Sequence, residues 1–161
     1  MLVSADESML IAGGTDGSVR LWDLATRTKL DTLRNRMHLR TGTGSTTTAL
    51  ALSADGTLLA SGHLDGAIYL WEVATGLVLD ARLSHDGPVG GLAFPPGDAV
   101  LVSGGADATV KFWDLAAARA RDARRELRRQ PDAVTCLALA KTGRGAITGH
   151  ANKSLRVHDT A

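Results

Sequence analysis

Apolar and polar residues alternate in short segments along most of the chain, and turn residues separate these segments. Val19 and Leu21 flank Arg20, and Val110 and Phe112 flank a lysine in the same way. A period of two places successive side chains on opposite faces of a β-strand, whereas a helix requires a period near 3.6. The same alternation occurs at Ile68, Tyr69 and Leu70 and at Leu155, Arg156 and Val157. The pattern therefore predicts a chain built from β-strands.

The alternating segments recur in four copies that share a fixed internal spacing. In each copy a turn residue stands six positions before a ring-bearing residue, and successive turn residues are 49, 42 and 45 residues apart. Repeats of this length with a terminal Trp-Asp are typical of a four-stranded propeller blade. The pairs are Asp16 and Trp22, Asp65 and Trp71, Asp107 and Trp113, and Asn152 and His158.

A set of four polar residues is complete in the third copy, where His85, Ser103, Asp107 and Trp113 stand at fixed spacing. With the repeat length, this set resembles the WD40 family of β-propellers, and the resemblance covers essentially the whole chain. It implies a buried relay in which aspartate accepts from histidine, and histidine and serine link to the indole N–H. The second copy keeps Ser61, Asp65 and Trp71 but has Thr43 at the histidine position, and the first keeps Asp16 and Trp22 but has Ala12 at the serine position. The fourth copy has Gln130, Thr148, Asn152 and His158.

The resemblance and the repeats together predict an all-β, WD40-type β-propeller segment of about four four-stranded antiparallel blades. The expected blade copies span approximately 1–33, 47–83, 88–128 and 133–161, and an inserted loop occupies 34–46. Propellers close with about 4–8 blades, and the family's rings usually have about seven. We therefore expect that this chain alone does not close the ring. It is then either a piece of a longer propeller or a half-ring that another chain completes.

Composition excludes several classes of protein. The chain has 18 basic and 17 acidic residues and a net charge of +1, so its surface as a whole is not suited to nucleic acid or anionic lipid. Its one cysteine excludes an intramolecular disulfide. We expect Cys136 to be a small buried residue on an innermost strand, and we expect no membrane span, no secretory signal and an intracellular, cytoplasmic location.

Several residues could be mistaken for reactive chemistry. His63 and His150 occupy equivalent positions, and with His85 they could suggest a metal site. The blades involved are not adjacent and no further ligand converges at suitable spacing, so we expect solvent-exposed turn histidines and no metal. Ser103, His85 and Asp107 have the residue types of a hydrolase triad, but the resemblance implies a structural, buried role. We predict no catalytic residue and no cofactor.

Two segments break the repeat and are the candidate partner-binding regions. The first, 34–46, carries Arg34, Arg36, His38 and Arg40. It is expected at the same rim as the turns that hold Asp16, Asp65, Asp107 and Asn152, which we call the tetrad turns. The second, 116–130, carries Arg124, Arg125 and Arg128 and should include an outer strand near 125–128. A variable loop and a solvated basic edge are the alternative interpretations.

These observations favour a non-catalytic scaffold that presents loops on a rigid rim to other proteins of unknown identity. Self-association, or completion of the ring by further propeller sequence, is a second expected contact. One alternative is a regulatory or sensor segment of a larger multidomain enzyme or signalling protein. A weaker alternative is a ribonucleoprotein component that uses the Arg-rich segment 119–129, although nucleic-acid binding is not otherwise expected.

Overall fold

A computed structural model describes residues 1–33, 45–97, 99–115, 124–126, 132–140 and 145–159, with the backbone alone described at 80–82, 124–126 and 159. Within these ranges the chain forms strands and turns and no helix, so no described helix could cross a membrane. The strands form four antiparallel sheets, and each sheet takes its strands in chain order. The all-β prediction is confirmed.

Sheets 1 and 2 each contain four strands. Sheet 1 consists of β1 Leu2–Val3, β2 Met9–Gly13, β3 Val19–Asp23 and β4 Lys29–Leu33. Sheet 2 consists of β5 Thr47–Leu52, β6 Leu58–His63, β7 Ala67–Glu72 and β8 Leu77–Ser84.

Sheet 3 has four strands and sheet 4 has three within the described residues. Sheet 3 consists of β9 Val89–Ala93, β10 Val100–Gly105, β11 Val110–Asp114 and β12 Arg124–Glu126. Sheet 4 consists of β13 Val134–Leu139, β14 Gly145–His150 and β15 Leu155–Asp159. The antiparallel blades predicted from the repeat are therefore present, and none of the described sheets closes with another into a ring. Most of both repeat-breaking segments lies outside the described residues.

The tight turn between the second and third strands of each sheet has the same backbone conformation. The residue after the turn residue has a positive φ in every copy, which strains a side chain other than glycine. Glycine fills this position in two copies, Gly17 with φ 73° and Gly66 with φ 87°. Ala108 and Lys153 adopt it at 61° and 66°.

The core lies between successive sheets, so each sheet has a trailing face toward the next sheet in the chain and a leading face toward the previous one. Between sheets 1 and 2, Val19 and Leu21 of the trailing face meet Leu59 and Trp71 of the leading face, all of them buried. Because the middle sheets are covered on both faces, both sets of alternating side chains are buried there. The cluster between sheets 2 and 3 contains Ala60, Ile68, Leu70, Leu83, Val89, Leu92, Leu101 and Trp113, and that between sheets 3 and 4 contains Val102, Val110 and Val134.

Glycines on the second strands allow the innermost strand of the next sheet to approach closely. A Cβ atom at Gly62 would lie 2.5 Å from Val89 Cγ1, and one at Gly104 would lie 2.5 Å from Val134 Cγ1. Both distances are shorter than non-bonded carbon–carbon contacts in proteins, so a side chain at either position would force the inner strand of the next sheet to move. These glycines therefore allow neighbouring sheets to pack closely along their inner strands.

Candidate functional site: the polar networks of the sheets

Sheet 3 joins its four motif residues in one continuous hydrogen-bonded relay. Trp113 Nε1 on β11 donates to Ser103 Oγ on β10 at 2.8 Å, and that oxygen lies 2.7 Å from His85 Nε2. His85 Nδ1 lies 2.9 Å from both carboxylate oxygens of Asp107 in the β10–β11 turn. The carboxylate can only accept, so Nδ1 carries the proton and Nε2 accepts from the Ser103 hydroxyl. Every polar atom of the relay has a partner.

Asp107 collects more donors than the histidine alone. Burial would raise the pKa of Asp107, but hydrogen bonds from the Asp86 N–H, Thr109 and His85 outweigh it and hold that pKa well below its usual range. Lys111 Nζ also donates to Asp107 at 3.3 Å and to the Ser84 carbonyl at 2.9 Å. Lys111 is buried, and these two acceptors satisfy its Nζ donors in place of water.

The relay has the order of a hydrolase triad, with serine, histidine and aspartate in line. Ser103 is 0% exposed, however, and the Trp113 indole already donates to its hydroxyl oxygen. A nucleophile must reach a substrate carbonyl, and a hydroxyl enclosed between two sheets cannot do so. In this setting the relay connects two strands, a turn and the segment that precedes β9.

Sheet 2 has an equivalent relay in which His63 supplies the imidazole. Trp71 Nε1 donates to Ser61 Oγ at 2.9 Å, and Ser61 Oγ lies 3.0 Å from His63 Nε2. His63 Nδ1 lies 2.9 Å from the carbonyl oxygen of Ser45. A carbonyl oxygen can only accept, so Nδ1 carries the proton and donates it to this bond. His63 is 2% exposed, so the prediction of a solvent-exposed turn histidine was wrong. The side chain turns inward, where Nε2 accepts from the Ser61 hydroxyl.

Sheet 4 repeats this arrangement with two histidines. Thr148 Oγ1 lies 2.9 Å from His150 Nε2 and 2.8 Å from His158 Nε2, and His150 Nδ1 lies 3.1 Å from the Asp132 carbonyl oxygen. His158 thus occupies the place of the tryptophan. Burial, followed by the charges of His150 and Arg156, lowers the pKa of His158 below 6.5. His150 is 5% exposed, so the exposed-turn prediction was wrong here too.

The histidine can reach the hydroxyl from either of two places in the chain. Gly105 occupies in sheet 3 the position that His63 and His150 occupy in sheets 2 and 4. A Cβ atom at Gly105 would lie 2.4 Å from His85 Nδ1, so a histidine before the first strand excludes a side chain at this position. The copies that lack the preceding histidine, with Thr43 or Gln130 in its place, are those with His63 or His150. This complementary pattern was readable in the sequence.

Sheet 1 and the turn of sheet 2 use their aspartates differently. Asp16 accepts from the Ser18 N–H and hydroxyl and pairs with Arg20 at 2.8 Å. Asp65 accepts from the Ala67 N–H at 3.1 Å. Ala12 offers no hydroxyl to the Trp22 indole of sheet 1.

The sequence analysis missed a second polar motif at the opposite rim. In the turn between the first and second strands, Ser4 Oγ donates to Asp6, and in sheet 2 Ser53 Oγ donates to Asp55 at 2.6 Å. Hydrogen bonds from Ser4 and Ser8 lower the pKa of Asp6 to about 2. In the sequence this motif appears as a serine two residues before the turn aspartate and a serine or threonine two residues after it.

The environment of Cys136 also corrects an expectation. The residue was predicted to be buried, but its side chain is exposed. Its equivalents Ala49 and Gly91 are covered by the inner strand of the following sheet, whereas Cys136 lies on the trailing face of sheet 4. The prediction failed because burial at this position comes from the next sheet and not from the residue's own strand.

The described residues bring no metal ligands together. They contain no group of three or more His, Cys, Asp and Glu side chains placed to hold an ion. His63, His85 and His150 instead each contact a hydroxyl of their own sheet.

Most of the candidate partner-binding residues lie outside the described chain. These are Arg34, Arg36, His38, Arg40 and Arg128. Arg124 and Arg125 lie on the outer strand β12, opposite Trp113 and Phe112, one residue earlier than the predicted strand. On the rim with the tetrad turns, Leu64 is 54% exposed at the apex of the β6–β7 turn.

Comparison with known families agrees with this geometry. The model of the family "WD domain, G-beta repeat" matches residues 1–23, 36–72 and 79–114, which is more than half of the chain. No curated protein compared with the chain matches it. Sheet 4 lies beyond the matched residues, and its relay of Thr148, His150 and His158 departs furthest from the family pattern. With matched repeats over sheets 1 to 3 and the relays in place, the chain belongs to the WD40-repeat family.

Proposed function

We propose that this chain is a non-catalytic scaffold that binds another protein through the rim on which the tetrad turns lie. WD40 repeats in general mediate protein–protein interaction, and the finer assignment to this rim rests on one observation. Leu64, a large apolar side chain at the apex of the β6–β7 turn, is 54% exposed. The equivalent turn positions carry smaller or polar residues, namely Thr15, Ala106 and Ala151.

The turn that carries Leu64 is fixed on both sides. The Leu64 N–H donates to the Thr46 carbonyl at 2.9 Å, and the Asp65 N–H donates to Ser45 Oγ at 2.9 Å. The preceding residue, His63, is anchored in the core. Because these hydrogen bonds already order the turn, little conformational entropy is lost when a partner buries this leucine, and this favours binding.

The charge around this turn suggests the chemistry of the partner. Asp65, the residue after Leu64, and Asp86 lie on the same rim, where Asp16 is already paired with Arg20 at 2.8 Å. We therefore expect the partner to bring an apolar side chain to Leu64 and a basic residue to Asp65. Arg124 and Arg125 lie on an outer strand, away from this rim, and do not enter the proposal.

The test is a peptide-display selection on the immobilised chain, with affinities measured for the selected peptides. Full burial of a leucine contributes roughly 1.5–3 kcal/mol, so Leu64→Asp should weaken binding by about 10-fold or more. Leu79→Asp is the matched control, because Leu79 is 53% exposed on the outer strand β8. Peptides that bind the Leu64→Asp variant as tightly as the original chain would contradict the proposal.

A further inference from the structure

Among the described residues, two sheet faces at opposite ends of the stack are apolar and exposed. On the trailing face of sheet 4, Ile147, Leu155 and Val157 are 46%, 75% and 78% exposed. On the leading face of sheet 1, Val3 and Leu24 are 49% and 37% exposed. Trp22 on that face is also only partly buried, whereas Trp71 and Trp113 at the equivalent position are buried.

The chain itself shows what covers faces of this kind. Strand registers place Leu155 at the position of Val19 and Ile68, and Val157 at the position of Leu21 and Leu70. Those four residues are at most 4% exposed, because the leading face of the next sheet lies on them. The leading-face residues in these contacts include the tryptophans equivalent to Trp22. The two uncovered faces are therefore the two halves of an interface that the chain already forms within itself.

We propose that two copies of this chain associate head to tail, with the trailing face of sheet 4 in one copy covered by the leading face of sheet 1 in the other. Both contacts of a two-copy ring are then of this kind, and each covers one trailing face and one leading face. Four sheets from each copy would give eight, within the range of propellers that close. A heterologous interface that closes on itself in this way gives a finite assembly and not a filament.

The inner strand sets one difference between this contact and the internal ones. At the internal contact, Thr48 Oγ1 donates across the interface to the Val89 carbonyl at 2.7 Å. Thr135 is its equivalent in sheet 4, and strand β1, Leu2–Val3, does not extend to the position of Val89. The apolar side chains therefore carry the proposed contact, and Met1, which stands at the position of Leu137, would cover Cys136.

The test is the mass in solution of the 161-residue chain and of its variants, measured by light scattering. The original chain should have twice the 16.8 kDa mass of one copy. The trailing-face variant Leu155→Glu/Val157→Glu and the leading-face variant Val3→Glu/Leu24→Glu should each fall to the mass of one copy. A 1:1 mixture of the two variants keeps one intact contact and should return to twice that mass. Leu77→Glu, at a residue 62% exposed on β8, is the control that stays dimeric.

Cys136 gives a second readout that does not depend on mass. Its exposed thiol lies on the trailing face, so a thiol reagent should react slowly with the dimer and fast with the trailing-face variant. Circular dichroism melts show whether each variant remains folded. A single-copy mass for the original chain, or a leading-face variant that stays dimeric, would overturn the proposal; the latter result would mean that two trailing faces pair instead. Peptide binding at Leu64 is measured separately, so either proposal can fail alone.

Discussion

At the scale of single residues, the relays identify the side chains whose substitution should lower the stability of the fold. Asp107 is the most connected of them, since it accepts from His85, Thr109, the Asp86 N–H and Lys111. The sequence predicted the partners in sheet 3 because they stand at the spacing of a known motif. It did not predict Lys111, whose alternating position suggested only the opposite face of β11.

Replacing Asp107 by alanine should lower the free energy of unfolding by about 3 kcal/mol. The change leaves the His85 imidazole and the buried Lys111 ammonium without their carboxylate. Chemical denaturation at neutral pH measures the loss. Asp86→Ala is the control, because only the backbone N–H of Asp86 enters the network, and it should change stability little. Equal effects of the two substitutions would show that the relay is not formed.

In sheet 3 the histidine that contacts the serine hydroxyl is at position 85, and in sheet 2 it stands at the position of Gly105. We therefore predict that substitutions at His85 and Gly105 are energetically coupled. Gly105→His alone should destabilise by about 1–3 kcal/mol, because its Cβ overlaps the His85 ring. His85→Ala alone should cost a similar amount, since Ser103 and Asp107 lose a partner. The double substitution reproduces the arrangement of sheet 2 and should cost less than the sum of the two. Additive losses in the double-mutant cycle would contradict the exchange.

The histidine of sheet 4 predicts a pH dependence. The lowered pKa of His158 means that below pH 6.5 the unfolded chain binds a proton that the folded chain does not. Its contribution to stability is therefore complete above pH 6.5 and is lost as the pH falls from 6.5 through the folded pKa. Melting curves across this range, compared with those of His158→Gln, isolate the contribution. A difference between the two proteins that does not vary with pH would refute it.

At the scale of the elements, the strands follow the alternation closely and their turns follow the spacing of aspartate and glycine. The third strands were the easiest to predict, because their apolar residues alternate strictly. The outer strands were harder. Leu30, Leu77 and Leu79 are all more than half exposed, so apolar content there does not report a buried face. Whether Cys136 is covered depends on a neighbouring sheet, which no local pattern contains.

The β10–β11 turn predicts a stabilising substitution. Ala108 has a φ of 61°, a conformation that costs a non-glycine residue roughly 1–2 kcal/mol. Ala108→Gly should raise the free energy of unfolding by about 0.5–1 kcal/mol after the extra entropy of glycine in the unfolded chain is deducted. Ala138→Gly, in the middle of strand β13, should have the opposite effect. If both substitutions destabilise, the turn is not strained.

At the scale of the whole molecule, the described middle sheets pack against a neighbour on both faces, whereas each end sheet has one exposed apolar face. Sheets 2 and 3 have complete relays and are covered on both faces, so the rim between them is held in one arrangement. The repeats predicted this stack, but no single-chain pattern states which faces remain exposed. The three tryptophans differ between middle and end sheets: Trp71 and Trp113 each donate to a serine, whereas sheet 1 has Ala12 at the serine position of Trp22.

The most direct test of the relays is the exchange of the three indole N–H protons, followed by ¹⁵N NMR. The Leu155→Glu/Val157→Glu variant is the protein to use, so that the leading face of sheet 1 stays in solvent. The Trp71 and Trp113 protons should exchange slowly, because each is buried and donates to a serine hydroxyl at 2.9 and 2.8 Å, and the Trp22 proton should exchange quickly. Equal exchange at all three would mean that the relays do not hold the sheets and would contradict the account.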